Sequence, residues 1–499
     1  MHLKRFEMKI KHTGILFGLL ILVVSSVQAQ VTESAKPNLN NPPIQINGVF
    51  PSLSLVGEHI GRSETGIGAL IPWADKLWMI GYVAHIRGTG IGLYAISPDM
   101  TMQKHPESVT GTYANRMIHN PSNQALIGPH FIDIKGNVRT CKDLAKHRLT
   151  ATMEHLFHPD SMVYFLTMEG LLFETNVYSL VSKQVSNVVN ELYHKSVDQL
   201  YDEGIYTHFK GAFTGNGRLV VANNAYQGGD YTGKIKGGRL AEWDGKTWTV
   251  LDSTAYIEVK GKMNEIYGNG MWATGWDRAS VKMMFYSPEN GKWRTYRLPK
   301  GSQAWEHAWN TEWMRIREAQ TERFMMDVFG ILYELPVMVY GGNMMPIKPV
   351  CNHLRVIPDY TYWRGMLVLA GDQVDNAIGQ PQSNLQFLNI DDLWKWGKPS
   401  GWGGVWREQN VKANQPSDPY LMNGFDKKVV HFTHSSDREI DYKIEVDLTG
   451  NNKWLTYKTI RVPAKGYEFH VFPDGYSAQW VRVTPLQDAE NVTVQFVYN

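Results

Sequence analysis

Apolar residues in this chain come in short alternating or continuous runs, cut at close intervals by Gly, Asn and Asp, while sustained helical periodicity is scarce. The pattern predicts strands almost throughout. Strand-like anchors recur at Ala69 (ALIPW), Ala125 (ALIGP), Tyr164 (YFLTM), Arg218 (RLVVA), Met271 (MWATG), Glu322 (ERFMMD) and Met366 (MLVLAGD), with separations of 56, 39, 54, 53, 51 and 44 residues. Propeller repeats run at roughly 40–50 residues per blade. Several anchors continue into a turn and a further strand, as in IDIKGNVR (132–139), MEGLLFETN (168–176) and LAEWDGKTWTVL (240–251). Asp244-Gly245 and Asn290-Gly291 are strong hairpin turns because Gly readily takes positive φ. A four-stranded unit of this size cannot bury both faces alone, which favours an all-β, seven-bladed β-propeller over residues 45–415. The rival is a set of β-sandwich repeats, but the connecting segments are too poor in Pro and Ser to be domain hinges.

The pattern changes from about residue 420. VVHFTH, YKIEVDL, YEFHVF, WVRVTP and VTVQFVY alternate cleanly, with turns at Gly450-Asn451 and Pro473-Asp474-Gly475. This predicts a small C-terminal β-sandwich-like domain over 420–499, bracing the propeller or binding carbohydrate. At the other end, Lys4, Arg5, Lys9 and Lys11 precede an apolar stretch from Ile15 to Val27, and Val27-Gln28-Ala29 resembles a small-residue cleavage site. Residues 1–29 therefore read as a signal peptide, with the mature chain beginning near Gln30 and exported to the periplasm or the exterior. No other apolar run is long enough to insert the mature chain into a membrane.

Composition narrows the partners. The chain of 499 residues is 43% hydrophobic, and 50 Lys plus Arg against 48 Asp plus Glu leave a net charge of +2. That balance lacks the basic excess that draws proteins to nucleic acid. Seventeen Trp and 24 Tyr suit the apolar faces of sugar rings, although large β-proteins are commonly rich in aromatics. The two cysteines, Cys141 and Cys351, fall in different predicted blades, which favours two buried thiols over a bridge. Neither has metal-ligand spacing, so no metal or other cofactor is predicted, and a structural ion is left open.

No nucleophile elbow, H-E-x-x-H helix, P-loop or dinucleotide fingerprint occurs in a fitting context. His155 and His158 in EHLFH lie on a predicted turn or strand edge, where they need not face one centre. The densest polar region, residues 206–231 followed by 237–245, interleaves His208, Lys210, Arg218, Asn223, Asn224, Tyr226 and Arg239 with glycines. Hydrogen-bonded loops would use these residues; so would a site for an acidic sugar, where Arg and Lys neutralise a carboxylate while Tyr and His exchange protons.

The series ETGIGALIPWADKLWMIGY, NRMIHNPSNQALIGPHFID, HFKGAFTGNGRLVVANN, GGRLAEWDGKTW and IYGNGMWATGWDRASV resembles a group of seven-bladed propellers. The group holds the ulvan lyases, related rhamnose-glucuronate lyases and the rhamnosidases of glycoside hydrolase family 145. The resemblance implies two alternative chemistries. Lyases of the group neutralise a uronate carboxylate and remove the C5 proton with His, Tyr and Arg; the matching positions are Tyr226 and Arg239, with His119, His130, His155 and His208 as candidates for the histidine roles. The rhamnosidases use a single histidine near the start of the first blade, a place that His59 of GEHIGR matches. Glu58, Arg62 and Glu64 flank it as candidate substrate-binding residues. The preferred expectation is an α-L-rhamnosidase that releases L-rhamnose linked α-1,4 to D-glucuronic acid in complex plant glycans such as arabinogalactan. The alternatives are β-elimination at the uronate and an inactive glycan-binding propeller.

Overall fold

The computed structural model describes residues 48–50, 65–83, 92–227, 237–261, 270–301, 313–320, 323–336, 346–373 and 385–499. Side chains at 48–50, 65, 83, 226–227 and 372–373 are outside that description, as are the proposed signal segment and residues 51–64.

Antiparallel sheets of four strands, each strand bonded to the next in sequence, repeat along the chain. The first comprises Thr65–Trp73, Lys76–Val83, Leu93–Ile96 and Met102–Lys104. Five more sheets of the same order begin at Arg116–His119, Leu149–Glu154, Phe209–Gly215, Ala255–Gly261 and Arg315–Gln320. A seventh begins at Tyr360–Trp363 and takes its outermost strand, Gly48–Phe50, from the other end of the described chain. Successive opening strands touch one another, and the last touches the first. The result is a β-propeller whose opening strands surround an axis. Strand Asp372–Gln373 also pairs with Thr65 and Gly66, so the last repeat is tied to the first at a second place.

Five of the seven opening strands carry a local irregularity. Register shifts occur at Ile67/Ala69, Leu149/Ala151, Phe209/Gly211, Tyr256/Glu258 and Glu318/Gln320. A bulge bends its strand and re-aims a side chain, here near the axis. Gly68 and Gly211 show the steric side of this arrangement: a Cβ at Gly68 would collide with the Tyr113 carbonyl, and one at Gly211 would lie 2.5 Å from the Ile257 carbonyl. Glycine at these positions lets the backbone of the following sheet come close.

Burial explains the sequence signal. The second strands are mostly buried, and two of them, Met271–Trp276 and Met366–Ala370, are buried at every position and read as largely apolar runs. Six anchors fall on or immediately beside second strands, whereas Ala69 lies on an opening strand, with Lys76–Val83 as its sheet's second strand. That difference makes the first anchor separation long. The turns at Gly245 and Gly291 have φ of 95° and 61°, as their hairpins require.

Beyond the last propeller sheet, Gly401–Val411, Lys428–Thr433, Tyr467–Val471 and Ala489–Tyr498 form one sheet. Tyr420–Leu421, Ile440–Asp447, Trp454–Val462 and Trp480–Pro485 form another, which continues the fifth propeller sheet through a parallel pairing of Arg297 with Tyr420. One apolar cluster joins Val430, Phe432, Ile444, Val481 and Phe496 of these sheets to Trp272, Met283 and Ile316 of the propeller. Arg297 fastens the junction through ion pairs of 2.9 Å to both Asp277 and Asp418. Cys141 and Cys351 are both buried free thiols. No helix among the described residues is long and apolar enough to cross a membrane.

Candidate functional site

The opening strands enclose a cavity of about 940 Å³. Its lining includes five cationic side chains, Arg116, Lys210, Lys260, Arg315 and Arg317, and three acidic ones, Glu154, Glu258 and Glu318. Alternate residues of a strand share a face, which brings Glu258 and Lys260, two apart, and Arg315 and Arg317, also two apart, to the axis. Lys210 sits within the Phe209/Gly211 bulge, and Glu154 ends its strand.

A buried carboxylate organises the arginines. Asp359 is 0% exposed, and its Oδ2 lies 2.7 Å from Arg116 Nε while its Oδ1 lies 2.7 Å from Arg317 Nε. Leu70 N donates to the same carboxylate at 2.8 Å. Glu258 accepts from Arg317 Nη1 at 3.1 Å and lies 3.5 Å from Arg315 Nη1. Backbone carbonyls take further guanidinium donors: Arg315 Nε donates to Pro358 O at 2.7 Å and Arg116 Nη2 to Tyr360 O at 3.0 Å. The network thus ties the second, fifth, sixth and seventh sheets together around the axis.

Toward the start of these strands lies an apolar layer of Tyr82, Ala114, Met168, Trp313 and Val356. Trp313 meets Tyr82 edge to face at 4.7 Å and carries the Arg315 guanidinium 5.0 Å over its ring and the Lys210 ammonium at 5.3 Å. Cations held over aromatic faces in a desolvated layer are stabilised there.

The electrostatics separates the carboxylates and the amine. Burial would raise the Asp359 carboxyl, but Arg116, Arg317 and the Leu70 amide outweigh it and hold its pKa below the ordinary value. Burial raises Glu154 above the usual carboxylate range, an effect that nearby Lys260 only opposes. Lys260 is lowered to about 8, first by burial and then by the Arg317 charge. Its ammonium group lies 5.3 Å over the Phe213 ring, while Glu258 is engaged by the two arginines. A cavity lined by five cations, with one carboxyl whose pKa is raised and one amine whose pKa is lowered, has the charge to bind an anion and the groups to move a proton.

The residues expected from sequence are distributed differently. His59, Glu58, Arg62 and Glu64 lie outside the described residues. His119 Nε2 donates to Pro159 O at 2.6 Å and its Nδ1 lies 2.7 Å from Ser122 Oγ, so the ring staples a turn. His130 is fully buried with Nδ1 2.8 Å from Thr140 Oγ1, and burial lowers its pKa to about 3. His155 accepts from the Phe157 and His158 amides, stacks on Tyr164 at 4.3 Å and faces Glu174 at 3.5 Å. None of these three lines the axial cavity.

The structure does bring together part of the dense polar region. His208 N donates to Asn223 Oδ1 at 3.0 Å, and Asn223 Nδ2 donates to Tyr193 Oη at 2.8 Å. Arg239 pairs with Asn223 in register and lies 4.4 Å over the Tyr193 ring. Tyr226 joins this neighbourhood through its backbone pairing with Tyr206; its side chain lies outside the described residues. Tyr193 was not singled out by sequence, because VVNELY reads as an ordinary short helix. Lys260, Arg317, Glu258 and Asp359 were missed as well. A signal for the strand members was present in IEVK and RIRE, where charges alternate with apolar residues in otherwise buried strands.

No family description matches the chain, and no curated protein does. Solved structures do. The Myceliophteria thermophila Cps50 (Swd1) β-propeller domain shares 9% identity, covering 66% of this chain and 98% of that one with a TM-score of 0.38. The Dos1 propeller shares 9% identity over 66% and 94% of the two chains, with a TM-score of 0.38. U3-55K shares 8% identity over 65% and 96%, with a TM-score of 0.41.

Proposed function

We propose that the protein is an exported, seven-bladed propeller enzyme that seats the uronate of an acidic plant glycan in its axial cavity and hydrolyses the α-1,4 bond from L-rhamnose to D-glucuronate. The observation that carries this reading is the set of five cationic side chains on the wall of a cavity of about 940 Å³, of which Lys260 stands outside the ion pairs that Asp359 and Glu258 make with the arginines. That space is at the upper end of ordinary small-ligand pockets, roughly 300–1,000 Å³, and a short oligosaccharide fits it. A carboxylate entering the cavity finds Lys260, whose own charge is not already neutralised by a direct ion pair among the described residues.

Hydrolysis needs a proton for the departing oxygen and a water for the sugar carbon. His59 is the acid/base residue in the preferred reading, since a histidine near its ordinary pKa exchanges protons at neutral pH. Glu154 is a second group of the right kind, because burial keeps its carboxyl protonated to higher pH than an exposed glutamate.

The second reading, β-elimination at the uronate, is favoured by one observation: the backbone amide of His208 bonds Asn223, and Arg239 lies over the ring of Tyr193, which Asn223 also bonds. The products discriminate. Purified protein is incubated with rhamnose-capped arabinogalactan while free L-rhamnose and the ultraviolet absorbance of a C4-C5 unsaturated uronate are followed together. The hydrolytic reading expects rhamnose without absorbance, lost in His59→Gln and retained in Tyr226→Phe. Absorbance that disappears in Tyr226→Phe and survives in His59→Gln transfers the chemistry to the second cluster. Binding without either product leaves a glycan-binding propeller.

A further inference from the structure

The C-terminal sheet presents an ordered face that is used by neither the cavity nor the apolar core. On its edge strand Tyr467, Phe469 and Val471 are 55%, 50% and 54% exposed. They lie opposite Thr433, His431 and Val429 of the next strand, which lie opposite Thr493, Gln495 and Val497 of a third. The intervening Val430, Phe432, Val494 and Phe496 point the other way and are buried in the core. Alternation therefore gathers the first set on one outward face.

Three rings on this face are aligned. His431 and Tyr467 have centroids 6.0 Å apart with planes at 19°, His431 and Phe469 are 6.4 Å apart at 29°, and Tyr467 and Phe469 are 6.2 Å apart at 20°. His431 Nδ1 lies 2.8 Å from Tyr467 Oη, which fixes the two rings to each other. Thr433 Oγ1 donates to Gly466 O at 3.0 Å and holds the adjoining turn. The positions that these three strands contribute to the face carry no Asp, Glu, Lys or Arg, and the fourth strand brings Glu408, whose N donates to Thr493 Oγ1 at 3.0 Å, to its far border; Gln495 and Tyr467 offer hydrogen-bonding groups beside the rings.

We propose that this face is a second glycan site, which takes a neutral stretch of polysaccharide with its sugar rings lying along Tyr467, His431 and Phe469. Aromatic surfaces match the apolar faces of pyranose rings, and neighbouring amide and hydroxyl groups meet the sugar hydroxyls. An anionic surface or an acidic peptide would be drawn to cations, and the three strands around the rings place none on this face. The chemistry differs from that of the cation-lined axial cavity, so the site stands whether or not the proposed hydrolysis is correct.

The test is electrophoresis of the full chain through native gels containing a neutral galactan, arabinan, xylan or glucan. The wild type and Lys260→Met are expected to be retarded equally by at least one polymer. Combined Tyr467→Ala and Phe469→Ala substitution is expected to weaken that binding at least tenfold, as is His431→Ala to a smaller extent, with the melting temperature and release of rhamnose from a small substrate unchanged. Absence of retardation by all four polymers overturns the proposal. So does equal retardation of the double variant, or a wild-type dimer that the double variant converts to monomer, which would make the edge strand a contact between copies.

Discussion

Asp359→Asn is expected to be the most damaging single substitution in the propeller, lowering stability by about 3–5 kcal/mol, the range for breaking a buried ion pair. The carboxylate is fully buried and holds Arg116 and Arg317 while accepting the Leu70 amide. An amide of the same shape keeps the volume but leaves two guanidinium groups without their shared counter-charge. The loss would appear as a lower denaturant midpoint, and Arg315 and Glu258 would feel it through Arg317. Replacing Arg116, Arg317 and Asp359 together by Met, Met and Leu is expected to recover much of the stability, because the desolvation cost of all three charges disappears. If Asp359→Asn unfolds at the wild-type midpoint, the network does not hold the axis together.

Lys260→Met is expected to weaken binding of a glucuronate oligosaccharide by about 1.5–3 kcal/mol, roughly 10- to 150-fold, at neutral pH. Methionine keeps most of the stem and its contact with Phe213, so the loss is mainly that of charge. The direction with pH follows from the amine. Lys260 is lowered to about 8 by burial and by the neighbouring Arg317. Its attraction for a carboxylate is complete below that value and is lost as pH rises through it, while the uronate remains ionised throughout. Wild-type affinity should therefore fall between neutral pH and pH values well above 8, whereas Lys260→Met should be flat over the same interval. A variant that keeps the alkaline decline would assign it to another group.

Much of the architecture is legible along the chain because the second strands are buried over most of their length. MLVLA has no polar residue and MWATGW only the buried Thr274, and the recurrence of such runs shows the repeat. The opening strands are harder to read because their charges face the axis. AYIEVKG and RIREAQ carry charges toward the axis, so locally they look like strands with a solvated face. Asp359 is less visible still: Pro358-Asp359-Tyr360 reads as a turn, and only closure of the ring brings Arg116 to that carboxylate. His119, His130 and His155 are candidates only through the resemblance to the lyases, and each is engaged with a local turn or a buried partner. Sequence shows which residues can titrate, whereas their convergence depends on contacts between distant repeats.

The most direct measurement is calorimetric titration of the wild-type protein at pH 6.5 with a rhamnose-capped glucuronate oligosaccharide and with the same oligosaccharide after its carboxyl group has been reduced to an alcohol. Recognition of the uronate by the cationic axis predicts that the reduced ligand binds at least tenfold more weakly, and that Lys260→Met narrows the difference. Equal affinity of the wild type for the two ligands would contradict it.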